Sequence, residues 1–289
     1  LQELVLADRP MLTAVGDRAF EGCSGLKINS LFPSSLQSIG DRAFAGAFTE
    51  SESSSLNLSS VPALRTIGKD AFRACNTLTQ LVLPMNLTEI GEGAFSECYN
   101  LAGALTLPTS LITIGAEAFY NCKNLTGTLA LPGSLRELGE RAFMRCAALE
   151  GLDLSASRLT VIGAEVFKES LSSVSGKLTV PQGVALIAVS AFEDTGFTEV
   201  DLPATLAEIG RRALYNCRKL STVTCRRTVP PMLDADYPAE TFGGVEVNTS
   251  QRTLKIYPQS IEVYKKNSSW MQATPLTGGS IVWTIEDIR

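Results

Sequence analysis

Apolar residues along this chain recur in blocks of about two dozen, and each block carries the same small signature. Ile, Val or Leu is followed by glycine, two variable polar positions, then Ala-Phe. The glycines are Gly16, Gly40, Gly68, Gly91, Gly115, Gly139, Gly163 and Gly210, with Ala188 in the same place in Ile187-Ala188-Val189-Ser190-Ala191-Phe192. Successive separations are 24, 28, 23, 24, 24, 24, 25 and 22 residues. The aromatic recurs as Phe20, Phe44, Phe72, Phe95, Phe119, Phe143, Phe167 and Phe192, and Leu214 replaces it in the last block. Between the signatures lies Leu-x-Leu-Pro, as in Leu81–Pro84, Leu105–Pro108, Leu129–Pro132 and, with Val200 leading, Val200–Pro203. Alternation at period two predicts a strand. Proline then ends it, since it has no N–H to give to a ladder.

Residues 101 to 122 show how one block closes. Leu101, Leu105 and Leu107 are expected to face inward from the strand side, and Leu111 and Ile114 after the bend. Gly115 permits a tight backbone approach or a positive φ. Ala118 and Phe119 fill the centre and Cys122 closes the block. The stretch from Gly115 to Cys122 is too short for a long helix and predicts a single helical or 3₁₀ turn.

A block of this length cannot bury its own apolar side chains, so blocks must stack on one another. Periods of this size fall within the range of leucine-rich repeats. The expected fold is a β-rich solenoid, a leucine-rich-repeat right-handed stack of about ten turns with short helical or 3₁₀ corners and a C-terminal cap. At one strand spacing per turn its axis is roughly 50 Å long.

Irregular stretches mark surface features and an end. The polar run Thr49-Glu50-Ser51-Glu52-Ser53-Ser54-Ser55 reads as an exposed loop. Ser170 stands where cysteine usually sits. After Cys225 the repeat stops, so residues 1–225 are assigned to the solenoid and 226–289 to a cap continuing the same domain. Within the cap, Thr253 to Pro258 reads as a strand, Ser260 to Lys266 as a helix with Ser260 as N-cap, and Ser280 to Ile285 as a terminal strand.

Composition narrows the chemistry. The chain has 289 residues, a net charge of −5 and no histidine. The missing histidine removes Ser-His-Asp and Cys-His catalysis and His-ligated zinc. The acidic balance argues against nucleic acid, which demands a basic stripe. No apolar run reaches the roughly 20 residues a membrane helix requires. The opening Leu1-Gln2-Glu3-Leu4-Val5-Leu6 reads as the middle of a repeat, with any signal segment expected upstream.

The seven cysteines admit three readings: buried thiols, disulfides or a metal site. Cys23, Cys75, Cys98, Cys122, Cys146 and Cys217 follow the aromatic slot by three and share one place in the block. Stacked slots lie within disulfide reach, but parallel neighbours point the same way, which favours a ladder of reduced thiols. Cys75, Cys98, Cys122 and Cys146 with Phe72, Phe95, Phe119 and Phe143 are its regular part. Asp17, Asp41, Asp70, Glu117, Glu140 and Glu165 occupy variable positions and read as a solvated face rather than a glycosidase pair. Asn86-Leu87-Thr88 and Asn124-Leu125-Thr126 match glycosylation sequons but fall in slots the repeat dictates.

The block Leu-Pro-x-Ser-Leu-x-x-Ile-Gly-x-x-Ala-Phe-x-x-Cys, clearest at Leu107–Cys122 and Leu131–Cys146, resembles the BspA-like leucine-rich repeats of bacterial surface proteins. The piece from Leu254 to Pro258, with Tyr264 and Trp270, looks like that family's cap. The resemblance implies a secreted or surface-anchored protein, often from host-associated bacteria such as Bacteroides, with some members acting as adhesins. It implies no catalytic residues and no cofactor.

The expected function is therefore a non-catalytic adhesion or recognition module for an extracellular protein or glycan. The alternatives are a spacer presenting another domain and an intracellular scaffold. Outward strand positions, Val5, Asn57, Val82, Thr106, Ala130, Asp153, Thr179, Asp201 and Thr224, are expected to line a concave face. Charge concentrates at Asp153, Lys177, Thr179, Glu199 and Asp201, the candidate ligand site. Solenoid edges could also support weak self-association.

Overall fold

The computed structural model describes residues 3–4, 6, 11–28, 32–50, 54–244, 252–274 and 283–288. The chain winds as a parallel β-solenoid of about nine coils with little helix, numbered here by their signature from coil one (Gly16) to coil nine (Gly210). Each coil has two strand sides. A longer strand, such as Leu78–Val82, Thr128–Ala130 or Glu199–Leu202, carries the Leu-x-Leu pattern. A two-residue strand, such as Glu89–Ile90 or Thr113–Ile114, immediately precedes the glycine. The short strands pair in register into a six-stranded sheet from Ala14–Val15 to Glu137–Leu138, and a four-stranded one from Val161–Ile162 to Met232–Leu233. Two residues carry no readable periodicity, so this second sheet was invisible in the sequence pattern.

Strand placement shifts locally. In coil five the strand is Ala102–Ala104, just ahead of Leu105 and Leu107, which are buried all the same. The cause is one extra residue between the cysteine and the leucine pair. Gly103 absorbs it at φ 80°, and Gly127 does the same in coil six at φ 70°.

The corners are not helical, which corrects the expectation of a helical or 3₁₀ turn. From Gly115 to Cys122 the backbone makes three overlapping tight turns, Ala118 N to Gly115 O (3.4 Å), Tyr120 N to Glu117 O (2.9 Å) and Cys122 N to Phe119 O (3.2 Å). The intervening amides point along the stack instead: Glu117 N to Glu140 O, Phe119 N to Ala142 O and Asn121 N to Met144 O, at 2.9, 2.8 and 2.8 Å. A helix would consume every N–H internally and leave nothing to tie coils together. Turning alternate amides outward needs left-handed residues, and Glu117 (φ 55°) and Asn121 (φ 59°) supply them. The same two slots recur as Arg141 and Arg145, and as Glu165 and Glu169. Each costs about 1–2 kcal/mol for a side chain with Cβ, offset by the inter-coil bond. The signature glycine serves close approach: a Cβ on Gly91 would lie 2.7 Å from the carbonyl carbon of Gly68.

The core is two columns. Phe rings from Phe20 to Phe192 stack face to face with centroids 5.1 to 5.9 Å apart. Beside them each thiol donates to the phenylalanine carbonyl of the preceding coil: Cys75 to Phe44, Cys98 to Phe72 and Cys122 to Phe95 at 3.1 Å, Cys146 to Phe119 at 3.2 Å. All cysteines are unbridged, and all but Cys23 are buried. Burial pushes the Cys98 thiol up to about 12, and Cys75, Cys122 and Cys146 well above the ordinary thiol value. The repeat's serine is equally functional in stacking: Ser110 donates to Leu87 O and Ser134 to Leu111 O, both at 2.6 Å.

The corner acids are in part a solvated face, with Asp17, Asp41 and Glu140 exposed, but several also bond to neighbouring coils. Asp17 and Asp41 accept the amides of Asp41 and Lys69 from the next coil, at 2.9 and 2.8 Å. Arg141 bridges Glu117 and Glu165, and Arg145 reaches Glu169. Residues 51–53 of the polar insertion lie outside the described residues; Glu50 and Ser55 beside them are exposed.

Beyond Cys225 the ladder continues. Thr222–Cys225 pairs with Arg252–Ile256, which pairs with Trp283–Asp287. Residues 280–282 of the expected terminal strand lie outside the described residues. Helix Ile261–Lys266 forms, but the Ser260 hydroxyl makes no capping bond, because a 3₁₀ turn, Pro258–Ser260, leads straight into it. A second helix, Ser268–Ala273, is capped by Asn267, whose side chain accepts from Trp270 N at 3.0 Å. Tyr264, Trp270 and Trp283 close the end of the core.

Candidate recognition face

Outward positions of the long strands build one surface. Between Lys177–Thr179, Glu199–Leu202, Thr222–Cys225, Arg252–Ile256 and Trp283–Asp287 the register sets two rows. One runs Thr179, Asp201, Thr224, Lys255, Glu286; the other Lys177, Glu199, Thr222, Thr253, Thr284. Parallel pairing brings residues two apart in sequence onto the same side of neighbouring strands. Four of the five sequence-derived residues, Lys177, Thr179, Glu199 and Asp201, therefore meet here. Asp153 stands on a separate sheet, because Gly151–Asp153 pairs with Thr128–Ala130 and not with Lys177–Thr179. It is exposed, and its carboxylate accepts from Ser155 N at 2.8 Å. Val5 lies outside the described residues.

Asp201 is only 5% exposed despite its outward register. Lys177 Nζ lies 2.7 Å from one carboxylate oxygen, and Arg226 clasps both oxygens at 2.8 Å. Burial raises this carboxyl, and the bonds from Arg226 and Lys177 overcome it, holding the group below the usual carboxylate range. Asp201 is thus a clamp joining three successive coils, with its acceptor capacity already used. Glu199 and Thr179 remain exposed.

Past the clamp the face opens into a groove of about 730 Å³ lined by Thr224, Arg226, Lys255, Ile285, Glu286 and Asp287. Sequence reading placed Thr224 on this face as an outward strand position and missed the others. The alternation of Leu254-Lys255-Ile256 announced a strand, but only the pairing register places Lys255 beside Thr224. At the other end of the stack the same side is apolar, with Val82 and Met85 exposed beside Leu81, Leu83, Thr106 and Pro108. Cations and anions interleave along the polar half, so no single-sign field develops.

A stack of short parallel strands joined by such corners is a leucine-rich-repeat solenoid. The BspA type Leucine rich repeat region matches residues 1–105 and 103–221 in six copies, and the chain belongs to that family. A leucine-rich repeat protein from Bacteroides ovatus shares the fold, with TM-score 0.52 at 20% identity over 97% of this chain and 76% of that one. A leucine rich cell surface protein from Faecalibacterium prausnitzii is 19% identical over 77% of this chain and 82% of that one (TM-score 0.41). The T. pallidum Leucine Rich Repeat protein is 24% identical over 75% and 86% (TM-score 0.45). No curated protein matches the chain. Among the described residues no helix is long and apolar enough to cross a membrane.

Proposed function

We propose that this chain is a non-catalytic recognition module of a secreted or surface-held protein, binding a protein or glycan partner through its long-strand face. Family membership supports the interaction role. The observation that carries the choice of face is the pair of registered rows from Lys177 to Glu286 with the adjoining groove. Several corner and bend side chains, among them Arg141, Arg145 and Ser134, are spent on coil-to-coil bonds. Exposed Thr179 and Glu199 and half-buried Lys255 offer both donors and acceptors, which suits a neutral or mixed-charge polar partner.

Binding of the purified chain to immobilised matrix proteins, mucins and glycans tests the reading. A saturable interaction weakened by Glu199→Ala and Lys255→Ala together supports it. A chain that binds none of them returns weight to a spacer holding another domain.

A further inference from the structure

Two breaks meet at coil seven. The short-strand sheet, continuous from Ala14 to Leu138, stops there and restarts at Val161. In coil six Arg136 N and Glu137 N donate to Ile112 O, and Gly139 N to Ile114 O at 2.8 Å. Their counterparts Thr160, Val161 and Gly163 have no such backbone acceptor among the described residues. On the long-strand side Gly151–Asp153 pairs backward to Thr128–Ala130 but not forward to Lys177–Thr179. Coil seven is therefore bonded to coil six by one sheet and to coil eight by the other.

The break coincides with a change in the bend that leads into it. Leu131-Pro132-Gly133-Ser134-Leu135 becomes Leu154-Ser155-Ala156-Ser157-Arg158-Leu159, so Arg158 is one residue too many. Coil seven lacks the extra residue that coils five and six carry between the cysteine and the leucine pair, which keeps the glycine spacing at 24 and hides both changes. Ser157 accepts from Leu159 N at 3.3 Å, whereas Ser134 donates across to Leu111 O.

Among the described residues the corner column, with its ion pairs Arg141–Glu165 and Arg145–Glu169, holds coils six and seven on that side, and its ring stack is widest at this step. Phe143 and Phe167 are 5.9 Å apart, the widest step of the column. The amides of Arg141, Phe143 and Arg145 reach coil seven at 3.1, 3.0 and 2.9 Å. A cleft of about 450 Å³ opens between Arg136–Leu138 and Leu159–Val161.

We infer that coil seven is a hinge built into the solenoid, about whose corner column the coils before and after it flex, opening and closing this cleft. Parallel ladders resist bending because every step is bonded; removing the bonds on one side leaves a line of rotation. If the recognition face proposed above is correct, Asp153 moves with the first half and Lys177, Glu199 and Lys255 with the second, so a partner spanning both fixes the angle. The hinge itself does not depend on that reading.

Paired spin labels test it in a Cys23→Ser background. Glu89→Cys with Glu208→Cys spans five short-strand steps across coil seven; Ala14→Cys with Glu137→Cys spans five steps without it. The first pair is expected to show a distance distribution at least about twice as broad, narrowing when Arg158 is deleted. Equal widths, or a folded deletion variant that stays broad, overturn the hinge. Should the deletion fail to fold, amide exchange of the parent chain decides. Thr160, Val161 and Gly163 are expected to exchange at least about tenfold faster than Arg136, Glu137 and Gly139, and equal protection contradicts the inference.

Discussion

The Ser170 hydroxyl donates to the carbonyl of Phe143 at 2.5 Å and accepts the amide of Cys146 at 2.9 Å. It occupies the slot from which Cys146 donates to Phe119. The slot therefore selects a small side chain that can donate to a buried carbonyl, and the sulfur is incidental to that. Ser170→Ala is expected to lose about 1–3 kcal/mol by stranding buried polar groups, and Cys122→Ser to be tolerated better than Cys122→Ala. Urea unfolding of the three variants checks the order.

The ring column sets the cost of a core change. Phe119 is fully buried between Phe95 and Phe143. Phe119→Ala is expected to cost about 3–5 kcal/mol, and Phe119→Leu markedly less, because Leu214 already fills the slot in coil nine. Thermal melts that rank the two variants equally would contradict the column's role.

Thiol chemistry follows from burial. With the column thiols pushed up and shielded, an exchange reagent at pH 8 is expected to modify only half-buried Cys23 in the native chain, and all seven cysteines after denaturation. Rapid modification of Cys98 or Cys122 without unfolding would refute this.

The Asp201 clamp has a pH signature. Its carboxyl sits below the ordinary value of 3.8 in the folded chain, so its stabilisation is fully present above about pH 4. It is lost as pH falls further and the native carboxyl protonates. Asp201→Asn is expected to lower stability at pH 7 and to flatten the acid limb of the stability profile below pH 4. An unchanged acid limb in the variant argues against the clamp.

Much of the fold was legible because each coil repeats one buried set. The period, the inward leucines, the Phe and Cys columns and the parallel stack are read from residue type and spacing alone. The corner was misread because Gly115–Cys122 has helix-compatible length and composition. What decides its shape is the next coil's carbonyls, which a single block cannot display. The face was half legible. Lys177, Thr179 and Glu199 were readable as outward strand positions, while outward Asp201 is covered by Lys177 and by Arg226, which lies beyond the repeat and joins it only through pairing register. The inter-coil bonds of Asp41 and Glu165 were not legible because their partners sit a full period away.

The most direct test of the recognition face compares arginine introduced at two positions. Thr179→Arg places a bulky charge on the long-strand face, and Glu140→Arg places one at an exposed corner. Binding to whichever matrix protein, mucin or glycan the parent chain captures is expected to fall at least about tenfold for Thr179→Arg and to stay unchanged for Glu140→Arg. Loss at Glu140 with retention at Thr179 would move recognition to the corners and contradict the account.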